Sequence, residues 1–440
     1  MIKITKFGGS SVASADQFAK VKSIIEGDPS RRFVVVSAAG KRFSGDNKVT
    51  DLLYLVNAHK DYHVDYSGLM DDIEGRFLDI QRQLGLTFPV EEKFDELRGH
   101  LKTDSPEYVI SRGEWFTAHL MAEYLGLPFV DAADAIIFHH DGSLDLERTA
   151  ARVRDVVVRV GSFVMPGFYG ATVDGDIKLL DRGGGDITGS ILANALSADL
   201  YENWTDVCGF LTADPRIVDD PLTIERITFD EMRELSYMGA NVLHEEAIFP
   251  VREANIPIAI LNTNQPDATG TIIRERVEPH ANDPIITGIA GKKDFMSIYV
   301  GKTHMSNAVG FLRQVLSIFE RYHVSVEHVP TGVDSFSIVV NGADVKDSIY
   351  SIVADIQREV HPDEVKVIDR LALVSVVGRN MSRRPGTAGK LLGTLGNAGI
   401  NVRMISQSSQ EITIIIGVDN DDFERTVGAI YDAFVIEEGE

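Results

Sequence analysis

Apolar residues in the first 280 positions follow two alternating patterns. Apolar and β-branched runs predict strands buried on both faces at 33–38, 161–168, 201–207 and 257–261, and residues 2–7 are also predicted to form a strand. Between these runs, apolar residues recur at helical spacing. One predicted helix opens at Ser14, where Gln17 completes a capping-box pattern. The alternation predicts one large α/β domain, a mainly parallel sheet covered by helices, with a helical excursion over 48–101.

The pattern changes after residue 284. Strand and helix signals follow the order βαββαβ from Phe295 to Asp369, including a strand at 324–329, and the order recurs from Leu371. The second copy ends in the acidic VIEEGE, which is too short for a buried fourth strand, so we expect residues 285–290 to fill that place. The pattern therefore predicts two interlocked ferredoxin-like modules. The expected domain limits are 1–280, 285–369 (with the strand 285–290 shared) and 370–440.

Charge and cysteine content narrow the class of protein. The 440-residue chain has 66 Asp and Glu against 43 Lys and Arg, a net charge of −23, so it repels phosphate backbones and disfavours nucleic-acid binding. Its single cysteine, Cys208, excludes an intrachain disulfide and fits a reducing compartment. The sequence contains neither an apolar leader nor a run long enough to span a membrane, so we expect a cytoplasmic protein.

Two glycine-rich stretches are typical of anion binding. FGGSS (7–11) follows a predicted strand and Lys6, and DRGGGD (181–186) places three glycines between Arg182 and Asp186. Glycines let the backbone approach a phosphate, and a nearby cation neutralises it. Each stretch is also compatible with an ordinary strand-to-helix turn or a helix cap.

Other candidates lie near the ends of predicted elements. Thr205 and Asp206 end a strand, where ligand crevices of open parallel sheets lie, and Arg216 follows as a candidate phosphate contact. Glu114 is predicted at the start of an amphipathic helix. The alternatives are a surface salt bridge for Arg216 and a helix-dipole role for Glu114.

Common nucleotide and metal motifs are missing from the sequence. It contains no G-x-x-x-x-G-K-[ST], no H-E-x-x-H and no strand-associated G-x-G-x-x-G. The adjacent His139 and His140 would face opposite ways on a strand, so we interpret them as loop residues rather than a metal pair. No protein metal site is expected.

Taken in order, KFGGSS, SRGE (111–114), DRGGGD, WTDVCGFLTADPR (204–216) and the paired C-terminal modules resemble the aspartokinases of the amino-acid kinase family, and the modules resemble ACT domains. The resemblance covers essentially the whole chain. It implies transfer of the ATP γ-phosphoryl group to the side-chain carboxylate of L-aspartate, giving 4-phospho-L-aspartate, the first step towards lysine, threonine and methionine. Such chemistry depends mainly on positioning and charge neutralisation.

The resemblance also implies roles for individual residues. The catalytic pair would be Lys6 and Asp186. The substrate would be held by Ser37, Thr50, Glu114 (ammonium) and Arg182 (α-carboxylate). The ATP site would consist of Lys6, Gly8, Gly9, Ser10, Thr205, Asp206, Leu211, Arg216 and Asn241, with Mg²⁺ bound mainly through the nucleotide phosphates.

Three positions, two of them in this set, depart from the family pattern. Gly185 replaces a serine, Leu211 replaces a tyrosine near the nucleotide, and Asn241 replaces a lysine. Loss of that lysine would weaken ATP binding, or Lys41 or Arg42 would have to bind the phosphates in its place. These departures keep two alternatives open: a non-catalytic amino-acid sensor on a kinase scaffold, and a sibling kinase for another acidic amino acid.

In the C-terminal half, the resemblance implies an amino-acid effector site between two loops, at a dimer interface. Its residues would be Met305, Gly310, Ser325, Val326 and Glu327, with Glu327 taking the effector ammonium. By analogy lysine is the favoured effector and threonine the next. The alternative is that these loops only cap a helix and pack a homodimer or larger assembly.

Overall fold

The structure, a computed structural model, describes residues 1–181, 183–240, 242–243, 245–278 and 283–436. It divides into two compact units. The first comprises Met1–Phe210, Thr223–Phe229 and Val242–Val277. The second comprises Leu211–Leu222, Asp230–Asn241 and Glu278–Glu440.

The first unit alternates strands and helices. Its strands are β1 (Lys3–Phe7), β2 (Arg31–Val36), β3 (Ile137–Phe138), β4 (Phe163–Pro166), β5 (Tyr169–Thr172), β6 (Ile177–Leu179), β7 (Leu200–Thr205), β8 (Arg226–Thr228), β9 (Ile258–Asn262) and β10 (Thr271–Arg274). Its helices are α1 (Ala15–Glu26), α2 (Val49–Asp61), α3 (Ser67–Leu84), α4 (Val90–His100), α5 (Pro106–Leu125), α6 (Leu146–Val160), α7 (Gly184–Ala195), the first residue of α8 (Phe229–Tyr237), and α9 (Phe249–Glu253).

The main sheet of this unit has the order β4-β2-β1-β7-β9-β10-β8. Its pairs are parallel except β9 with β10. The last four residues of β2, Phe33 to Val36, are all buried, as an apolar strand covered on both faces requires. The predicted parallel-sheet fold is confirmed, and it brings the carboxyl ends of β1, β2 and β7 to one edge.

Helix starts in this unit follow local capping signals. The Ser14 hydroxyl accepts a hydrogen bond from the Gln17 amide at 3.4 Å, but the Gln17 side chain donates to Asn264 rather than back to the cap. Helix α5 begins at Pro106 because Ser105 caps it and proline suits the first helical position. The prediction that Glu114 starts a helix was therefore wrong: it lies in the middle of α5, away from the helix dipole terminus.

The second unit contains an antiparallel sheet. Its strands are β11 (Gly288–Gly301), β12 (Ser335–Asn341), β13 (Glu364–Val377), β14 (Met404–Gln407) and β15 (Thr413–Asp419). Its helices are α10 (Phe311–Arg321), α11 (Gly342–Val345), α12 (Ile349–Val360), α13 (Thr387–Asn397) and α14 (Phe423–Tyr431), together with α8 beyond its first residue. No helix in the described part of the chain is long and apolar enough to cross a membrane.

Two long strands join the C-terminal modules. The strand order of the sheet is β12-β11-β13-β15-β14. The central strands β11 and β13 pair along most of their lengths. The first half of β11 pairs with the second half of β13 beside β15, so the modules are interlocked as expected. The predicted strand at 324–329 was wrong. Only isolated bridges such as His328 to Val339 form there, next to Pro330, which cannot donate a ladder hydrogen bond.

Candidate active site

A cleft in the first unit opens at the carboxyl ends of β1, β2 and β7, where ligands bind in open parallel sheets. The predicted residues that line it are Lys6, Gly8, Gly9, Ser10, Ser37, Thr50, Glu114, Asp186, Thr205 and Asp206. They come from segments far apart in the sequence, and the fold brings them together around one space.

Four predicted site residues remain to be considered. Arg182 and Asn241 lie outside the described residues. Leu211 and Arg216 belong to the second unit and do not line the cleft. The exposed Arg216 guanidinium forms an ion pair with Asp214, with Nη2 at 2.5 Å from Oδ2. The roles assigned to these four residues stay predictions.

Lys6 and Asp186 form an ion pair at the base of the cleft. Lys6 is on β1 and only 7% exposed, while Asp186 lies in the first turn of α7. Asn203 on β7, paired in register with Lys6, donates to Asp186 Oδ1 at 2.9 Å. The sequence pattern did not single out Asn203; its only signal was its place as one of two adjacent polar residues, Glu202 and Asn203, in the middle of a predicted buried strand.

The turn after β1 is held by backbone contacts. The Gly8 amide donates to the Trp204 carbonyl at 2.9 Å, and the Gly40 amide donates to the Gly9 carbonyl at 2.9 Å. Because the Gly8 amide already donates to the Trp204 carbonyl, an anion beside Lys6 would be bound by backbone amides of the turn that follows Gly8. Residues Gly9–Val12 form a short 3₁₀ helix there.

Glu114 has an unusual environment for a carboxyl group. It is 4% exposed at the cleft wall, and its Oε2 lacks a hydrogen-bond partner within the described structure. Burial raises the pKa of Glu114 to about 8, although a hydrogen bond from the Ala38 backbone opposes that shift. A buried carboxyl group with one unpartnered oxygen would gain from contact with a cationic ligand group.

Two backbone features shape the same space. A Cβ at Gly185 would lie 2.8 Å from Ser37 Oγ and 3.3 Å from Lys6 Cε, so Gly185 lets these side chains approach the start of α7. Phe168, which also lines the cleft, has a φ of 76°, rare for an aromatic residue. Phe168 could not be predicted from the sequence, because local pattern does not reveal a left-handed backbone at a non-glycine residue.

The predicted effector residues lie together in the second unit's first module. Met305 and Val326 pack against the same apolar cluster, and Gly310, with φ 81°, precedes α10. The Glu327 carboxylate accepts a hydrogen bond from the Tyr237 hydroxyl of α8 at 2.5 Å. Ser325 is exposed beside them.

Comparisons with known proteins identify the family of this chain. Residues 1–262 match the profile of the Amino acid kinase family, and residues 374–434 match an ACT domain. The chain is 38% identical to Aspartokinase 3 of Bacillus subtilis, with 98% of each chain covered. It is 29% identical to the chloroplastic Aspartokinase 1 of Arabidopsis thaliana, with 98% of this chain and 80% of that protein covered.

Solved structures show the same architecture. A Clostridium acetobutylicum aspartate kinase, described as an allosteric enzyme, superimposes with a TM-score of 0.91 at 43% identity, covering 98% of this chain and 99% of that one. Escherichia coli aspartokinase III in complex with aspartate and ADP gives a TM-score of 0.76 at 25% identity, with 98% and 99% covered. The chain belongs to the amino acid kinase family. The relatives described above are aspartokinases that match 98% of this chain, and the chain is an enzyme of that type.

Proposed function

We propose that the enzyme transfers the γ-phosphoryl group of ATP to the side-chain carboxylate of L-aspartate, giving 4-phospho-L-aspartate. The observation that carries the proposal is the joint placement of the Lys6–Asp186 pair and the buried Glu114 on one cleft. One feature suits a phosphoryl group in transfer and the other suits an amino-acid ammonium. The Escherichia coli relative was solved with aspartate and ADP, which supports the same pair of ligands here.

Each residue has a defined task in this proposal. Lys6 neutralises charge on the transferring group, and Asp186, held by Asn203, keeps the Lys6 ammonium in place. Glu114 binds the substrate ammonium, and Ser37 and Thr50 line the wall beside it.

The residues present also fit Mg-ATP. The turn at Gly9 and Ser10, together with Lys6, offers backbone and ammonium donors for phosphates, while Thr205 and Asp206 line the same cleft at the end of β7. Within the described ranges, no cluster of three or more His, Cys, Asp or Glu residues could hold a metal by itself. In this proposal Mg²⁺ would be bound through the nucleotide phosphates, where it supplies charge neutralisation.

The test is ADP release from Mg-ATP by the full chain, with aspartate, glutamate or N-acetylglutamate as acceptor. We expect turnover with aspartate and little with the other two. Turnover with glutamate instead would establish the sibling-kinase alternative. No turnover from folded protein that still binds amino acids would overturn the proposal in favour of a sensor.

We further propose domain limits of 1–280, 285–369 and 370–440. We also propose that an amino acid that binds near Glu327 controls the kinase activity, and that the protein forms a homodimer or a larger assembly. The ACT match and the Escherichia coli aspartokinase III structure with lysine support an amino-acid effector, with lysine favoured. Inhibition assays with lysine and with threonine test the effector, and light scattering to measure mass tests the assembly. Inhibition by neither amino acid would remove the effector proposal.

A further inference from the structure

One wall of the cleft is formed by a loop over residues 40–48. Gly40 to Ser44 and Lys48 line the cleft, and the loop is closed at its base because the Val49 amide donates to the Ala39 carbonyl at 3.1 Å. The loop carries the cations Lys41, Arg42 and Lys48 on a protein of net charge −23. Its position therefore decides how much positive charge faces an anionic ligand.

Beneath the loop lies a buried ion pair between Arg76 of α3 and Asp46. The two residues are 6% and 7% exposed. The Arg76 guanidinium also donates from Nη1 to the Gly40 carbonyl at 3.2 Å, so one side chain holds the loop at two places. A planar guanidinium can reach both acceptors at once from separate nitrogens, whereas the three N–H donors of a lysine ammonium all extend from one nitrogen.

Asp46 links the two ends of the loop through hydrogen bonds with Arg42. Its carboxylate accepts from the Arg42 amide at 3.0 Å and from Arg42 Nε at 2.9 Å. The hydrogen bonds from Arg42 and the charge of Arg76 hold the pKa of Asp46 well below its usual range. Asp46 thus remains ionised in the native protein and links a cleft cation to the buried Arg76.

The same loop touches the turn beside Lys6. Besides the hydrogen bond to the Gly9 carbonyl, the Gly40 backbone is so close that a Cβ there would lie 2.5 Å from the Gly9 carbonyl carbon. A shift of Gly40 would therefore displace the Gly9 turn.

We propose that Arg76 is a positioning residue for the phosphate site: by holding Gly40 and Asp46 it sets the places of Lys41, Arg42 and the Gly9 turn. This inference rests on the proposed kinase function. Arg76 does not line the cleft, so it acts only through these neighbours. Such a buried pair adds little net stability by itself, which is consistent with a role in fixing geometry.

The test compares Arg76→Met, Arg76→Lys, Asp46→Asn and the double variant Arg76→Met/Asp46→Asn in the full chain. The control is Arg98→Met, because Arg98 on α4 also ties helices of the excursion, through Glu74 and Asp71 at 2.6 Å each, but does not line the cleft. Readouts are the KM for ATP, kcat, the Kd of ATP by calorimetry, and Tm.

We expect Arg76→Met to raise the KM and Kd for ATP about tenfold, because small displacements of groups that bind a ligand weaken binding strongly. Arg76→Lys should raise both constants by the same factor as Arg76→Met or by a smaller one. The double variant removes both buried charges, so its Tm should recover towards wild type while the KM stays raised. Arg98→Met should leave the KM unchanged whatever its Tm.

A KM and Kd for ATP within twofold of wild type in Arg76→Met, or a KM that recovers together with Tm in the double variant, would overturn the inference. If Arg76→Met does not fold, Arg76→Lys and Asp46→Asn decide the point. Absence of turnover in wild type would count against the proposed function, and the Kd for ATP would still test Arg76.

Discussion

The ammonium of Lys6 on β1 and the carboxylate of Asp186 on α7 form an ion pair at the base of the cleft. Neither group is left unpaired although both are largely buried, which is the condition for keeping charges inside a protein. When a phosphoryl group is present, Lys6 can interact with it while Asp186, restrained by Asn203, keeps the ammonium aligned.

Replacing Lys6 with methionine should lower kcat by at least about 100-fold, since a preorganised charge at the transferring group is lost. The measurement is steady-state ADP release with aspartate. Lys3→Met is the matched control, because Lys3 is on the same strand but pairs with Asp28 and Glu202 outside the cleft. It should retain kcat within a few fold. A Lys6→Met enzyme with more than a tenth of wild-type kcat would contradict the role given to Lys6.

Aspartate binding should release a proton near neutral pH. Burial raises the pKa of Glu114 to about 8, so its carboxyl is largely protonated at pH 7, and a bound ammonium would favour the ionised form. The KM for aspartate should therefore fall as pH rises from 6 to 8. Calorimetry in buffers of different ionisation enthalpy measures the released proton directly. Equal heats in all buffers would count against this ionisation.

The same group predicts how stability depends on pH. The folded-state pKa of Glu114 lies above the unfolded value. The contribution of Glu114 to the free energy of unfolding is therefore fully present below about pH 4.5 and is lost as pH rises through about 8. Glu114→Gln should thus gain in Tm over wild type as pH rises from 6 to 9. A Tm difference that is constant across this range would show that Glu114 ionises normally.

Gly185→Ala should lower activity, because the added Cβ would meet Ser37 Oγ at 2.8 Å and Lys6 Cε at 3.3 Å. We expect kcat to fall about tenfold or more if Lys6 shifts. Gly75→Ala is the control: Gly75 lies inside α3 with no atom within 4 Å of its added Cβ, and it should stabilise the protein by about 0.5–1 kcal/mol. Wild-type kinetics in Gly185→Ala would mean that the neighbouring side chains rearrange freely.

Tyr237→Phe should raise sensitivity to the amino-acid effector. The Tyr237 hydroxyl donates to Glu327, the group proposed to take the effector ammonium, so the effector must compete with that bond. Losing a hydrogen bond to a charged group should lower the half-inhibitory concentration about tenfold. Tyr322→Phe, which removes a hydroxyl bonded to Asp355 in the same module, serves as control. Equal inhibition curves for wild type and Tyr237→Phe would exclude this competition.

Local patterns were sufficient for much of the fold. The buried run at Phe33 predicted β2, and the βαββαβ repeat predicted two interlocked modules before any contact was known. The glycine-rich stretches and Lys6 likewise marked the cleft. These features depend on periodicity and turn chemistry within a few residues, which the sequence displays directly.

Other features came only from long-range packing. The sequence pattern predicted the wrong start for the helix that contains Glu114, and it predicted a strand at 324–329 that does not form. A short apolar pattern does not reveal which backbone groups find hydrogen-bond partners. It also gave no role to Asn203, Phe168 or Arg76.

The sequence by itself determined the fold class, the module repeat and the candidate residue types. The tertiary structure alone decided that Asn203 holds Asp186, that Arg76 lies beneath the loop at 40–48, and that Glu114 is buried without a partner on Oε2 within the described residues. The physical reason is that burial and charge pairing depend on which distant segments the fold brings into contact, and these contacts set the pKa and position of each group.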